Sequence, residues 1–227
     1  MSDYQYTQDW FHWAPEVWNQ LTTMLPERKS FLEIGSFEGR STVWIIENMM
    51  NPGDWIDCVD TWGGGEEHSN GEMLGAEGRF NYNVNLALGG AVVEERDGEH
   101  KFPYPVHTRY ASPAPTEGQR KRLYKYKCTS TQYLGSKLAG CVDNKDLFDF
   151  IYIDGSHTAP DVLTDATMAW PLLNKGGLMV FDDYLWGNPR DALHRPKIAI
   201  DAFTNIFGET AEIVHVGYQL VVRKKGE

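Results

Sequence analysis

An apolar run at 147–153, Leu-Phe-Asp-Phe-Ile-Tyr-Ile, constrains the fold more than any other stretch of this sequence. It stops abruptly at Asp154 and Gly155. A short, nearly continuous apolar run bounded by turn residues is typical of a strand buried on both faces of a parallel sheet. Helical patterns separate this run from similar ones at 30–34, 55–59 and 178–181. Such alternation of strands and helices predicts an α/β fold.

The predicted architecture is a Rossmann-like three-layer sandwich, with helices on both faces of a mostly parallel seven-stranded sheet. Residues 124–128 supply a further short strand of this set. Two strands, at 211–216 and 218–223, close the chain around a turn near Gly217. Strands joined so tightly must be antiparallel to each other, so we expect an antiparallel strand at the C-terminal end of the sheet. We expect residues 1–227 to form a single domain.

Two regions lie outside this alternation. Residues 1–28 carry an N-terminal helix with an aromatic face, which packs on the core, covers a ligand as a lid, or forms the face of a homo-oligomer. Residues 61–120 contain three consecutive glycines near their start and several prolines near their end. We interpret them as an insertion without strands of its own, because a long irregular stretch in a compact domain is usually functional or mobile.

The composition excludes several classes of protein. The chain has 227 residues and a net charge of −11, so nucleic acid is not expected as a partner. No apolar run approaches the about 18 residues of a membrane-spanning helix. The three cysteines, Cys58, Cys128 and Cys141, are widely spaced and form neither a disulfide framework nor a metal-binding motif. We therefore expect a reducing, cytoplasmic setting.

Polar residues follow every predicted parallel strand, at the edge where open α/β sheets bind ligands. The first turn, Glu33-Ile34-Gly35-Ser36-Phe37-Glu38-Gly39, has two glycines that allow a ligand close to the backbone, or that serve only a tight turn. Its glutamates would repel a pyrophosphate and suit a ligand with a cationic centre. Asp60 ends the next strand about 21 residues after Gly39, where a carboxylate accepts hydrogen bonds from ribose hydroxyls, or else caps a turn.

Together these motifs resemble the class I S-adenosylmethionine-dependent methyltransferases. The resemblance covers about 30–60 and 124–222. It rests on Glu33-x-Gly35-x-x-x-Gly39, on Val59-Asp60, on the strand that ends in Asp154-Gly155-Ser156-His157, on Gly176-Gly177, and on Asp182-Asp183. The Asp-Gly-Ser-His sequence is similar to the small-molecule O-methyltransferase branch, which includes metal-dependent sugar and catechol enzymes.

The resemblance implies a binding site for S-adenosylmethionine. Glu33 and Gly35 would line the methionine part, Asp60 would hold the ribose, and Trp62 would stack on adenine or lie in the core. The full set of implied donor-binding residues is Glu33, Gly35, Ser36, Gly39, Asp60, Trp62, Ser130, Thr131, Gln132 and Asp154. Acceptor specificity is then expected in residues 61–120 and at the N-terminus, which the resemblance does not cover.

The resemblance also implies a metal site, formed by Asp154, Asp182 and Asp183 and filled by Mg²⁺ or another divalent cation. Three carboxylates at one sheet edge repel each other unless a hard cation holds them together, so the residues themselves favour the same site. If no cation is present, Asp154 caps a helix and the other two lie in solvent. His157 stands where catechol-type relatives have a basic lysine, so we interpret His157 as the general base, with contact to metal or substrate as the alternative.

The predicted function is methyl transfer from S-adenosylmethionine to a hydroxyl of a small molecule, with a sugar or a natural product as the expected acceptor. His157 and Asp154 are the predicted catalytic residues. Two other functions remain open: a nicotinamide-dependent oxidoreductase on a similar sheet, and a non-catalytic binding module that keeps the fold. The missing third glycine and the acid at Glu33 count against the oxidoreductase, and the set of strand-end acids counts against the binding module.

Overall fold

The computed structural model describes residues 3–27, 29–65, 71, 73–95, 107–140, 147–187 and 191–226. Within these ranges the helices are α1 (Ala14–Thr22), α2 (Arg40–Asn48), α3 (Ala76–Ala87), α4 (Ser130–Gly140), α5 (Ala159–Ala169) and α6 (Pro196–Ile206). The strands are β1 (Ser30–Ile34), β2 (Trp55–Asp60), β3 (Val92–Glu95), β4 (His107–Ala111), β5 (Arg122–Lys127), β6 (Phe148–Ile153), β7 (Leu173–Phe181), β8 (Ala211–Val216) and β9 (Leu220–Lys224).

The described strands form one sheet in the order β3-β4-β5-β2-β1-β6-β7-β9-β8. Its centre, β5-β2-β1-β6-β7, is parallel throughout. The strands β9 and β4 are antiparallel to the central strands beside them, and each is followed outward by an antiparallel edge strand. The predicted mostly parallel α/β sheet, with an antiparallel strand at the C-terminal end, is therefore confirmed. The order reverses at β1, so the cleft beyond the carboxyl ends of the parallel strands is the expected ligand site.

The predicted number of strands was wrong. The described residues form a sheet of nine strands, whereas the sequence predicts seven. The two extra strands, β3 and β4, come from the region 61–120, which we expected to lack strands. Neither has the apolar run of a buried strand. β4 has the mixed sequence His-Thr-Arg-Tyr-Ala, and Val92 and Val93 of the edge strand β3 are each 47% exposed. Cys141 lies outside the described residues.

The helices divide between the two faces of the sheet, as the three-layer prediction requires. One apolar cluster joins a face of the sheet to α4, α5 and α6, and the other joins the opposite face to α1, α2 and α3. Trp18 of α1 is fully buried, so the aromatic face of the N-terminal helix packs on the core, and a homo-oligomer through it stays a prediction. Among the described residues, no helix has both the length and the apolar character needed to cross a membrane.

Candidate active site

A cavity of about 1010 Å³ lies beyond the carboxyl ends of the parallel strands. Most of the residues singled out in the sequence line it: Gly35, Ser36, Asp60, Ser130, Thr131, Asp154, His157, Asp182 and Asp183. Four predicted donor-binding residues do not line it: Glu33, Gly39, Trp62 and Gln132. The sheet topology therefore brings residues from five separate strand ends to one cavity, as the strand-end pattern predicts.

Gly35 lies in the first turn after β1, residues 35–39, which we call the glycine turn, and it packs against the end of β6. Its φ is +88°, and a Cβ at this position would lie 1.9 Å from the carbonyl oxygen of Asp154. Its amide N–H donates to the carbonyl oxygen of Val59, at 2.9 Å. Only glycine fits this position, because both the backbone conformation and the space exclude a side chain. The close packing holds the turn and the end of β6 against each other at the cavity.

Asp60 lines the cavity and also holds the turn. Its Oδ2 accepts the amide N–H of Phe37 at 2.8 Å, and its Oδ1 accepts the amide N–H of Trp62 at 2.6 Å. These bonds span the first and second strand ends, so the carboxylate is fixed in orientation. Both interpretations of Asp60 are thus compatible: it caps a turn, and it presents a carboxylate to the cavity, with ribose binding remaining a prediction.

Glu33 lies beneath the turn, fully buried and outside the cavity lining. Its carboxylate accepts hydrogen bonds from Ser41, at 2.5 Å, and from Thr42, both in the first turn of α2. Burial raises the pKa of Glu33. The position favours a structural role, in which Glu33 anchors the N-terminal turn of α2 to β1. Direct contact of Glu33 with the donor stays a prediction, and the geometry does not support it.

The other three residues outside the cavity lining support its walls. The Trp62 indole is 7% exposed, packs on Phe80 at 5.1 Å, and donates to the carbonyl oxygen of Phe37 at 2.7 Å. Trp62 therefore lies in the core, which was one of its two predicted positions; the other was stacking on adenine. A Cβ on Gly39 would lie 2.9 Å from Phe80. The Gln132 side chain accepts the amide N–H of Thr129 at 3.1 Å, which caps α4.

Asp154, Asp182 and Asp183, which we call the acidic cluster, meet where β6 and β7 end. The Tyr152 hydroxyl lies between two of them, 3.0 Å from Oδ2 of Asp154 and hydrogen-bonded to Oδ2 of Asp182. Burial, followed by the charges of Asp182 and Asp183, raises the pKa of Asp154 well above its usual range. Burial and the charge of Asp183 raise the pKa of Asp182 to about 6. Like charges so close favour a bound proton or cation.

The three ligand-type residues that lie closest together differ from the predicted metal set. Oxygen or nitrogen atoms of Asp154, His157 and Asp183 all lie within 4.8 Å of one another. The Nε2 atom of His157 is 2.7 Å from Oδ2 of Asp183. Asp182 faces Tyr152, the amide of Asp183 and the Gln219 side chain. Within the described residues, the geometry therefore places His157, rather than Asp182, beside the two carboxylates that could hold a cation.

The N-terminal segment covers one side of the cavity. Tyr6, Gln8, Trp10 and Trp13 line it. The segment is held by the buried carboxylate of Glu38, which accepts the amide N–H of Thr7 at 2.6 Å and its hydroxyl at 2.7 Å. Trp10 stacks on Phe37 of the glycine turn, with ring centroids 5.4 Å apart. The segment before α1 is therefore attached to the glycine turn, which also lines the cavity.

Several residues at the site were missed in the sequence: Tyr152, Asp165, Trp186, Tyr218 and Gln219. Tyr152 reads as an apolar strand residue, and Tyr218 and Gln219 lie in a turn with no motif. Asp165 is 3% exposed and lines the cavity, and burial raises its pKa to about 6. The sequence did contain a signal for Asp165, because it is an acidic residue on the apolar face of an amphipathic helix. The ring of Trp186 lies 4.6 Å from that of His157.

Comparisons with known proteins agree with this geometry. No curated protein sequence matches the chain. Among solved structures, it is similar to an O-methyltransferase from Bacillus cereus in complex with S-adenosylhomocysteine (SAH), with 14% identity, a TM-score of 0.56, and coverage of 98% of this chain and 84% of that one.

Two further solved structures share the fold. CalS11, a TDP-rhamnose 3′-O-methyltransferase of calicheamicin biosynthesis, has 15% identity and a TM-score of 0.54, with 95% and 81% of the two chains covered. TomG from Streptomyces achromogenes, an O-methyltransferase of tomaymycin synthesis solved with S-adenosylmethionine, has 14% identity and a TM-score of 0.52, with 100% and 84% covered. At these identities the likeness shows a common fold.

A family profile described as a methyltransferase domain matches residues 32–184, which is more than half of the chain. The matched part begins in β1, includes the glycine turn and Asp60, and ends just after the acidic cluster. The family resemblance drawn from the sequence is therefore confirmed. The chain belongs to the methyltransferase-domain family and has the class I methyltransferase fold.

Proposed function

We propose that this protein transfers the methyl group of S-adenosylmethionine to a hydroxyl of a small molecule, with a divalent cation at the acidic cluster. One observation carries the proposal: the glycine turn with Asp60 and the group Asp154, His157 and Asp183 line the same cavity. The first set suits the donor and the second suits a hydroxyl acceptor, so the two reactants would meet within one enclosed space.

The donor half of the cavity has the features that S-adenosylmethionine requires. The turn around Gly35 and the start of α2 line the cavity, where they would contact the amino-acid end. Asp60 offers two carboxylate oxygens to ribose hydroxyls, already oriented by Phe37 and Trp62. Ser130 and Thr131 line the far side. The Asp60 and Asp154 carboxylates in the lining favour a sulfonium cation over the pyrophosphate of a nicotinamide cofactor.

The acidic cluster fits a divalent cation. Asp154 and Asp183 supply two carboxylates, and a nitrogen of the His157 imidazole lies within 4.8 Å of both. Burial, followed by the charges of Asp182 and Asp183, raises the pKa of Asp154, and a bound cation would offset this like-charge repulsion. Carboxylate oxygens are ligands that suit both Mg²⁺ and Mn²⁺. When bound, such a cation would act as a Lewis acid that lowers the pKa of a hydroxyl beside it.

The chain's own residues account for the proton and for the geometry. His157 lines the cavity beside the acidic cluster and would take the proton of the acceptor hydroxyl on the ring nitrogen that does not face Asp183. The hydroxyl oxygen then forms a bond to the methyl carbon while the carbon–sulfur bond breaks, and the sulfur keeps the electron pair as S-adenosylhomocysteine. The Asp183 carboxylate, 2.7 Å from Nε2, would stabilise the imidazolium that forms. The cavity mainly holds the two reactants in line.

The acceptor side of the cavity has aromatic walls. Trp13 packs on Tyr218, whose hydroxyl bonds to Asp183, and Trp186 lies beside His157. Flat aromatic surfaces suit the faces of a sugar or of another ring, and they exclude water. A sugar or natural-product hydroxyl is therefore the proposed acceptor. CalS11 is a TDP-rhamnose 3′-O-methyltransferase and TomG is an O-methyltransferase of tomaymycin synthesis, which agrees with this class.

The direct test is calorimetric titration with S-adenosylhomocysteine, with Mn²⁺ or Mg²⁺ present and again in chelator, beside a titration with NAD. We expect the homocysteine compound to bind and NAD not to bind. A screen of hydroxyl acceptors with radiolabelled donor then measures turnover in both conditions. Binding of NAD alone would support the oxidoreductase, and donor binding without turnover on any acceptor would support a binding module.

The role of His157 needs its own variant. We expect His157→Ala to lose turnover while binding S-adenosylhomocysteine normally, because the imidazole lies on the acceptor side. Thr164→Ala, an exposed substitution on α5 whose side chain bonds only its own helix, is the matched control. Full turnover of His157→Ala would assign deprotonation to the cation alone and remove the base.

A further inference from the structure

Two buried residues outside the cavity lining are linked to the acidic cluster by hydrogen bonds. The indole Nε1 of Trp18 donates to Oε1 of Gln219 at 2.7 Å, and Nε2 of Gln219 donates to Oδ1 of Asp182 at 3.3 Å. Trp18 is 0% exposed and Gln219 is 2% exposed. Trp18 lies on α1, and Gln219 directly precedes β9. The bonds thus connect the N-terminal helix to the end of β7.

The chemistry of these groups allows one orientation of the Gln219 amide. An indole N–H can only donate, so the carbonyl oxygen of the amide must face Trp18. The amide nitrogen must then face Asp182, whose ionised carboxylate can only accept. The reversed amide would place its oxygen against the carboxylate and its N–H₂ against the indole N–H. Trp18 therefore determines that Gln219 presents a donor to Asp182.

Asp182 is held on both oxygens. Oδ1 accepts from Gln219 and from the amide N–H of Asp183, at 2.9 Å, and Oδ2 accepts from the Tyr152 hydroxyl. The same hydroxyl lies 3.0 Å from Oδ2 of Asp154. The position of Asp182 thus sets the position of the Tyr152 hydroxyl, which lies beside Asp154. Trp18 also packs edge-on against the Tyr152 ring, with centroids 4.9 Å apart.

The neighbouring residue orients the other aspartate. The Tyr218 hydroxyl donates to Oδ1 of Asp183 at 2.8 Å, which leaves Oδ2 toward His157. Consecutive residues of the β8–β9 turn therefore bond to consecutive aspartates after β7. These two hydrogen bonds fix both carboxylates relative to the sheet. Of the two turn residues, only Gln219 has the direction of its hydrogen-bond donor set by a residue of α1.

We propose that Trp18 and Gln219 are positioning residues for the cation held by Asp154 and Asp183, and that Asp182 orients this site rather than ligating the cation. The inference rests on the proposed function, because it requires a cation at the acidic cluster. Groups that hold metal ligands in place commonly contribute about 10- to 100-fold in metal affinity. The N-terminal helix would then contribute to the metal site from outside the cavity.

The test uses the full chain with S-adenosylhomocysteine present and measures Mn²⁺ binding by electron paramagnetic resonance. Gln219→Met keeps the volume and removes both hydrogen bonds, and Trp18→Phe keeps a ring and removes the indole N–H. Trp55→Phe, in the apolar cluster on the opposite face of the sheet, is the matched control for loss of an indole. Thermal unfolding and the affinity for S-adenosylhomocysteine are measured for every variant.

We expect Gln219→Met and Trp18→Phe to bind Mn²⁺ about 10- to 100-fold more weakly, with the donor product bound as in the wild type. Trp55→Phe should lose stability without losing Mn²⁺ affinity. Unchanged Mn²⁺ binding in Gln219→Met overturns the inference, and this variant decides alone if Trp18→Phe fails to fold. A wild type that binds the donor product but no Mn²⁺ removes the metal site and the inference together, while leaving the donor site in place.

Discussion

Gly35 and Asp154 approach so closely that a Cβ on the glycine would lie 1.9 Å from the aspartate carbonyl oxygen. We expect Gly35→Ala to lower the free energy of unfolding by about 1–3 kcal/mol through overpacking and to remove binding of S-adenosylhomocysteine. Gly176→Ala is the control, because Gly176 has a similar φ of +82° with nothing within 4 Å. Chemical denaturation and calorimetry measure both effects. Equal losses in the two variants would mean that backbone conformation, rather than the contact with Asp154, dominates.

Asp60 should contribute strongly to donor affinity. In Asp60→Asn, an amide N–H₂ must face one of the two backbone N–H groups that the carboxylate now accepts. The variant then has no charged oxygen for the ribose hydroxyls, and losing one charge-assisted bond to the ligand costs about 1.5–3 kcal/mol, or about 10- to 100-fold weaker binding of S-adenosylhomocysteine. Asp149→Asn, a carboxylate that binds Ser30 and Asn174, is the control and should affect stability only. Unchanged donor affinity in Asp60→Asn would leave Asp60 with a purely structural role.

Asp182 and Asp183 should differ in their effect on Mn²⁺ binding, although they are neighbours. Asp183→Asn removes charge from the carboxylate that faces His157, so we expect Mn²⁺ binding to be lost. Asp182→Asn keeps an oxygen for Gln219 and for the Asp183 amide, so Mn²⁺ should still bind, more weakly. Electron paramagnetic resonance of the two variants measures this difference. The opposite order would restore Asp182 as a ligand.

Asp165 should make the stability of the ligand-free protein depend on pH. Burial raises its pKa from 3.8 to about 6, so the folded state binds a proton more tightly than the unfolded state does. The associated stability is complete below pH about 4 and is lost as the pH rises through 6. At about 1.4 kcal/mol per pKa unit, the loss is about 3 kcal/mol.

The Asp165→Asn variant should therefore gain stability relative to the wild type as the pH rises. We expect a gain of up to about 3 kcal/mol between pH 4 and pH 8, measured by denaturant unfolding at each pH. A constant difference across the range would mean that Asp165 titrates normally.

The parallel strands and their ends could be predicted because burial on both faces requires continuous apolar sequence. β6, with Phe148 to Ile153, is the clearest case. The strands β3 and β4 escaped prediction because β3 is an exposed edge strand and β4 has a mixed sequence. Neither sequence carries a strand signal of its own, and the pairing of β4 with β5 and of β3 with β4 decides that they form strands.

Predictions from motifs placed residues near the cavity but did not give their orientation. Asp154 and His157 meet as expected because both follow β6. Asp182 and Asp183 are adjacent in sequence, yet they face different partners, because Asp183 adopts a φ of +55°. Trp62 follows Asp60 closely, and its φ of +51° turns the indole into the core. A local backbone angle, which depends on packing, thus separates a cavity residue from a core residue.

The helix α3 lies inside residues 61–120, the region expected to select the acceptor, yet its side chains hold the glycine turn in place. Arg79 pairs with Glu38 at 2.5 Å, Phe80 packs against Gly39, and Asn83 donates to the Glu38 carbonyl oxygen at 2.9 Å. Residues 61–120 therefore cannot be exchanged for those of another protein without affecting the glycine turn. A chimaera that imports another acceptor region would have to keep these three side chains, or it would change substrate preference and donor affinity in the same step.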